Sequence, residues 1–350
     1  MAFPPVRTQI CSPVSIAAQT SIRSVNCRSR RVLADRNSPA RPSAAEGASV
    51  SFILRLSPVP ASASGGVPPE VPMRYAFAMR FFLFVCLSSA LPAQDHVRLG
   101  LFTAMPVKWD LEANWRMFEE TFHRHISQKP DVIVTPECFL DGYAASAKDW
   151  TAEKFAAIAQ DEKTSPYLAR VRALAEKHRV AILFGFTESR GGKFYNTALM
   201  IDRNGKTVGR YDKTHLQNHD LRFAAGVDLP VFDTSWGKTG VLICADRRWP
   251  ETARVLRVRG SRLTLIPSYG MWHEENEMWM RTRAYENENF LAFIHPNVAF
   301  VADPRGKIVA KLQTNSPAML VVDLDLSQVG ESRHVRDRRT DLYKDLALPY

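Results

Sequence analysis

The chain has 350 residues, enough for one large domain or two ordinary ones, and 46 Lys and Arg against 36 Asp and Glu give a formal charge of +10. Residues 1–94 hold ten arginines, no lysine and three acids, so +7 of that excess lies ahead of residue 95 and only +3 after it. A near-neutral domain excludes a nucleic-acid partner as the meaning of the charge; two cysteines after residue 94, Cys138 and Cys244, without paired His or Cys spacing exclude a zinc site or a disulfide framework.

Residues 1–72 are rich in Ser, Pro, Ala and Arg and show no apolar period, which predicts a disordered leader. It reads either as a basic targeting peptide or as upstream sequence that is not translated, the start then being Met73 or Met79. The second reading is favoured by "MRYAFAMRFFLFVCLSSALPAQ" (73–94), which has arginines, an apolar run from Phe81 to Leu87 and small residues at Ala90 and Ala93. That is the layout of a secretory signal peptide, too short to span a bilayer as a mature helix. Export to the periplasm or medium is the expectation if it is used, and a cytoplasmic location if not. In either case a soluble domain over 95–350 is expected.

From Asp95 on, strand and helix patterns alternate. "VRLGLFTA" (97–104) reads as a buried strand, followed by an amphipathic helix over about 111–128. "DVIVTPE" (131–137) predicts a strand, and "PYLARVRALAEKHR" a helix with apolar residues three and four apart. "VAILFGFTES" and "YNTALMIDRNGKTVGRY" follow, the latter with an Asp-Arg-Asn-Gly turn that predicts a hairpin. Then come a strand ending at Cys244, a helix from Pro250, a strand "RLTLIPS", a helix over 273–289, and strands "FLAFIHP", "KIVAKL" and "AMLVVDLDL". The alternation predicts a layered α/β domain.

Three polar side chains stand where buried strands give way to turns: Glu137, Lys213 and Cys244. A carboxylate can take the proton of a thiol, a lysine ammonium can steady thiolate and oxyanion, and the protonated carboxyl can serve a departing amine. The set suffices for hydrolysis of an unstrained amide without metal or cofactor. Each residue also has an ordinary reading, as a capping acid, a snorkelling lysine and a packed cysteine, so spacing alone leaves both open. Cys138 reads as packing.

"PECFLDGY" (136–143), "YDKTHL" (211–216), "GVLICADRRWPE" (240–251), "RAYEN" (283–287) and "RRTDLY" (338–343) resemble, in order, the motifs of the nitrilase or carbon–nitrogen hydrolase superfamily. The resemblance implies a four-layer αββα sandwich forming homodimers or higher homo-oligomers. It implies Glu137 as general base and acid, Lys213 as oxyanion support, Cys244 as nucleophile and the Ala245 backbone N–H as a second oxyanion donor. "CxDRRWPET" is nearest the N-carbamoyl-D-amino-acid amidohydrolases, which implies Arg247 and Arg248 as binders of a substrate carboxylate and His215 as a pocket residue. The implied activity is hydrolysis of a small linear amide or N-carbamoyl compound with ammonia release. The alternatives are acyl transfer to an amine and a catalytically silent binding module. Ala245 replaces a frequent asparagine, only Asp220 matches the second acid of many members, and the loop near 297–303 is shorter than usual in the superfamily.

Overall fold

The structure is a computed structural model that describes residues 95–270 and 274–348; the leader and signal peptide expected over 1–94 lie outside them. Among the described residues, twelve strands form two six-stranded sheets. The first is built from β1 (His96–Thr103), β2 (Val132–Val134), β3 (Ala181–Arg190), β4 (Lys193–Ile201), β5 (Thr207–Asp212) and, from the other end of the chain, β12 (Ala318–Asp325), in the order β12-β1-β2-β3-β4-β5. The second takes β6 (Val231–Thr234), β7 (Gly237–Val241), β8 (Leu263–Pro267), β9 (Phe290–His295), β10 (Val298–Ala302) and β11 (Ile308–Gln313), in the order β11-β10-β9-β8-β7-β6. In each sheet the middle strands, β1-β2-β3 and β7-β8-β9, are parallel, and antiparallel strands close both edges.

The pleat decides which residues meet. Leu99 and Leu101, Val132 and Val134, Ala181 and Leu183, and Ala198 and Met200 project into the space between the sheets, where Val241, Leu263, Leu265 and Ala292 meet them. The alternate residues, Phe102, Ile133, Ile182, Phe184, Leu199 and Ile201, pack outward against helices α1 (Leu111–His125) and α3 (Pro166–His178). A short α2 (Ala152–Ile158) covers a satellite cluster with Tyr143 and Phe223. Helices α4 (Pro250–Val258) and α5 (Glu274–Asn287) cover the second sheet through Ala253, Leu256, Met280 and Ala284, and a single turn, α6 (Arg333–Arg336), follows. The result is the expected αββα sandwich.

Helix ends follow local chemistry. Asp110 and Ser165 accept from Ala113 N and Leu168 N at the starts of α1 and α3, and Pro166 and Pro250 occupy first turns where no N–H is needed. Several elements depart from the sequence reading. β2 ends at Val134, because Pro136 has no N–H for the ladder. β7 stops at Val241, so Cys244 stands in the 3₁₀ turn after the strand. β6, β10 and α2 were not expected. The short loop of the sequence reading proves to be a tight hairpin, with Val298 opposite His295.

Candidate active site

The chemistry sits where the carboxyl ends of the parallel strands open, the place where α/β sheets commonly bind ligands. β2 delivers Glu137 through a loop that is fixed from several sides. Asp141 accepts from Ala144 N at 3.0 Å and Thr187 N at 2.8 Å, and Leu140 N donates to Gly185 O at 3.2 Å. Burial pushes the Asp141 carboxyl up to about 6 even though these bonds pull it down. Gly185 lies directly beneath the loop: a Cβ there would stand 2.4 Å from Pro136 O.

Glu137, Lys213 and Asp220 are buried together. Lys213 Nζ donates to Glu137 Oε1 at 2.9 Å and to Asp220 Oδ2 at 2.6 Å, and Asn196 Nδ2 also donates to Glu137 Oε1, at 2.8 Å. Both donors meet one oxygen, while buried Oε2 has no hydrogen-bond partner among the described residues. Burial alone would lower the Lys213 pKa, but Glu137, the Cys244 sulfur and Asp220 outweigh it and hold the ammonium above the ordinary lysine range. Tyr143 donates to Asp220 Oδ1 at 2.5 Å; burial first, then Glu137 and Asp220, push its hydroxyl well up, so it stays a neutral donor.

Cys244 comes from the other sheet. Its φ of +48° is uncommon for a residue with a side chain and is the kind of conformation that surrounding structure must impose. The constraint comes from Asp246. Its carboxylate accepts from Ile243 N at 3.0 Å within the turn, and from Tyr211 OH at 2.7 Å, Thr214 Oγ1 at 2.9 Å and His215 N at 2.8 Å beyond it. The cysteine turn is thus tied to the segment that carries Lys213, across the two sheets. The first amide bonded back within the turn is Asp246 N to Ile243 O, which leaves those of Cys244 and Ala245 without an intrahelical acceptor.

Lys213, Cys244 and Ala245 line one cavity of about 340 Å³ together with Tyr143, Gln217, His219 and Arg248. A larger groove of about 600 Å³ on the outer face of α5 holds none of these residues. Two of the residues expected at the substrate lie elsewhere. The His215 ring is bonded to Asp246 Oδ1 at 2.9 Å and stacks on Trp249 at 4.2 Å, so it belongs to the tie across the sheets and not to the cavity lining. Arg247 is buried beneath the cysteine and does not line the cavity either. Arg248 does, with Nη1 donating to Gln217 Oε1 at 2.8 Å. Cys138 is a free, fully buried thiol pushed well up by burial, as packing requires.

Asp246 and Asn196 escaped the sequence reading, and Asp220 entered it only as a weak match. The signal for Asp246 was an acid directly inside a buried run, where an unpaired carboxylate is costly. For Asn196 it was a lone amide in an apolar strand.

A buried carboxylate–ammonium pair at the end of one sheet and a cysteine turn at the end of the other define, within this sandwich, the nitrilase superfamily. Residues 98–334 match the carbon–nitrogen hydrolase family, and the chain belongs to it. Among curated relatives, a hydrolase in the pqqF 5′ region of Pseudomonas protegens is 30% identical over 271 residues, which cover 72% of this chain and 92% of that one. The N-carbamoylputrescine amidase of Arabidopsis thaliana is 27% identical over 274 residues, 68% and 91% of the two chains. Among solved structures, an amidase of Nesterenkonia AN1 from the nitrilase superfamily superposes with a TM-score of 0.62 at 24% identity, covering 74% of this chain and all of that one.

Proposed function

We propose that this carbon–nitrogen hydrolase cleaves a small linear amide or N-carbamoyl compound that bears a carboxylate, through a thioacyl intermediate on Cys244, and releases ammonia. The observation that carries the reading is the division of labour on Glu137: Oε1 is held by Lys213 and Asn196, while buried Oε2 has no partner among the described residues. A carboxyl group so arranged keeps one oxygen for protons.

The steps follow from that arrangement. Oε2 takes the thiol proton and Sγ attacks the carbonyl carbon. The oxyanion is stabilised by the Lys213 ammonium, which the Asp220 carboxylate and Glu137 Oε1 hold in place, and by the Ala245 N–H. The protonated Oε2 then gives its proton to the departing nitrogen, and ammonia leaves. With Oε2 again a base, it activates a water that attacks the thioacyl carbon, and collapse expels the sulfur and frees the product.

The cavity supports an anionic substrate. Arg248 and His219 lie in its lining, and among the described lining residues none is an acid. N-carbamoylputrescine, named in the Arabidopsis relative, ends in an amine and would meet like charge here. The test is an ammonia-release screen of the full chain against carbamoyl amino acids, ω-amides and carbamoyl amines. Cys244→Ala is expected to fold and to lose turnover by a factor on the order of 10⁴ or more. Ammonia release persisting in that variant refutes the mechanism, and faster turnover of carbamoyl amines than of carbamoyl acids refutes the substrate class.

A further inference from the structure

A guanidinium with no access to water is stable only when anions or acceptors replace its hydration. Arg247 is such a group, fully buried. Nη2 donates to Asn276 Oδ1 and, at 3.4 Å, to Gly270 O, while buried Nε has no acceptor among the described residues. Its flat face lies 5.5 Å from the Trp279 ring and 5.4 Å from that of Phe293. None of its hydrogen-bond partners among the described residues is a carboxylate; the one ionisable partner is Cys244, whose Sγ accepts from Nη1 at 3.3 Å.

We propose that Arg247 is the standing counter-ion of the Cys244 sulfur, holding it as thiolate from the protein side before substrate arrives. Cys244 borders the cavity and Arg247 does not, so the guanidinium touches the nucleophile from behind and leaves its front open. The same placement removes Arg247 from contact with a substrate carboxylate. The proton that leaves sulfur passes to Glu137 Oε2, where it is already in place for the departing nitrogen: one S–H bond breaks, one O–H bond forms, and nothing is oxidised. Asn276 from α5 and the two rings fix the fork in position.

The other groups facing this pair are identifiable. Lys213 and Tyr143 reach the sulfur's side of the cavity from the first sheet, with Glu137 and Asp220 behind them, and His219 and Arg248 line the mouth. His295 on β9 is held neutral by burial, with Arg247 adding to the effect. Lys213 is already engaged by Glu137 and Asp220, whereas among the described residues Arg247 has no acid as a hydrogen-bond partner.

The inference rests on Cys244 as nucleophile, and its test is independent of turnover. Iodoacetamide alkylation of the full chain is followed at pH 6 and pH 9 by mass spectrometry of the peptide bearing Cys244. A free thiol near its ordinary value of about 8.5 loses reactivity by a factor on the order of 100 between these conditions. The wild-type chain is expected to lose only a few-fold. Arg247→Met is expected to lose roughly ten-fold or more beyond wild type, and Arg247→Lys to keep most of the wild-type ratio. A wild-type loss as steep as the free thiol's, or a wild-type ratio retained in Arg247→Met, overturns the proposal. If the Met variant fails to fold by circular dichroism, Arg247→Gln carries the same expectation, and the wild-type ratio stands as a test by itself. Cys244→Ala retaining ammonia release would instead strike the hydrolytic reading.

Discussion

Asp220→Asn removes one of the two carboxylates that hold Lys213, with little change of volume. Asp220 Oδ2 lies 2.6 Å from Lys213 Nζ, both groups being buried. At an effective dielectric constant of about 20, the gross attraction at that distance is about 6 kcal/mol. The net cost is smaller, because Asn also escapes the desolvation penalty and Lys213 keeps Glu137. Breaking a buried pair costs about 3–5 kcal/mol, and the lower figure applies here. For a domain of this size that lowers Tm by roughly 6–12 °C. The pH dependence has a definite sign. The pKa of Lys213 is raised in the fold, so its contribution is fully present below the ordinary lysine range and is lost as pH rises through the folded value. With Asp220 neutralised, burial is less well offset and the folded value falls, so the alkaline loss still starts in the ordinary lysine range but is smaller. Thermal unfolding monitored by circular dichroism from pH 7 to about pH 12, alongside ammonia release at pH 7, reads both effects. A Tm within about 2 °C of wild type, with a superposable alkaline limb, would refute the account of Asp220 as the second anchor of Lys213.

Arg248→Ala is expected to raise KM for carbamoyl acids about ten-fold or more with little change in kcat, as loss of a charge-assisted contact to the ground state would; steady-state kinetics decide. Gly185→Ala places a Cβ 2.4 Å from Pro136 O and must lift the loop that carries Glu137. It should cost about 1–3 kcal/mol in denaturant titrations and lower kcat roughly ten-fold or more. His295 donates through Nε2 to Tyr269 O at 2.6 Å and accepts from Asn297 N, and burial lowers its pKa from 6.5 to about 4. Its contribution is therefore present above pH 6.5 and is lost as pH falls toward 4, by up to roughly 3 kcal/mol. His295→Asn should flatten that part of a stability-against-pH curve.

Much of the scaffold was legible because period is a local property. The alternation in "VRLGLFTA" and the three-four spacing of "PYLARVRALAEKHR" each report one face, and the elements stand within a residue or two of where those patterns end. β6 was missed because "VFDT" is a short edge strand with one face exposed, and β10 because its hairpin partner β9 supplies the turn geometry. The residues proposed to react were legible only through ordered motifs; as single residues each had an ordinary reading. What no local pattern could reveal is which charges meet. Asp246 finds its donors 31 to 35 positions away, and Lys213 finds Glu137 at a separation of 76. Two arginines in tandem look alike in the string, yet the turn sends Arg248 to the cavity and Arg247 into the core.

The placement of proton acceptor and sulfur on different sheets has a temporal consequence. A ribosome exposes Glu137 and Lys213 first and Cys244 later, and the first sheet lacks an edge until β12, near the end of the domain, pairs with β1. On the proposed mechanism, until the two halves dock the thiol has no base to relieve it of its proton and no opposed wall to trap a carbonyl. Recovery of turnover after dilution from denaturant should thus lag behind recovery of strand signal, making hydrolysis the last property the maturing polypeptide acquires.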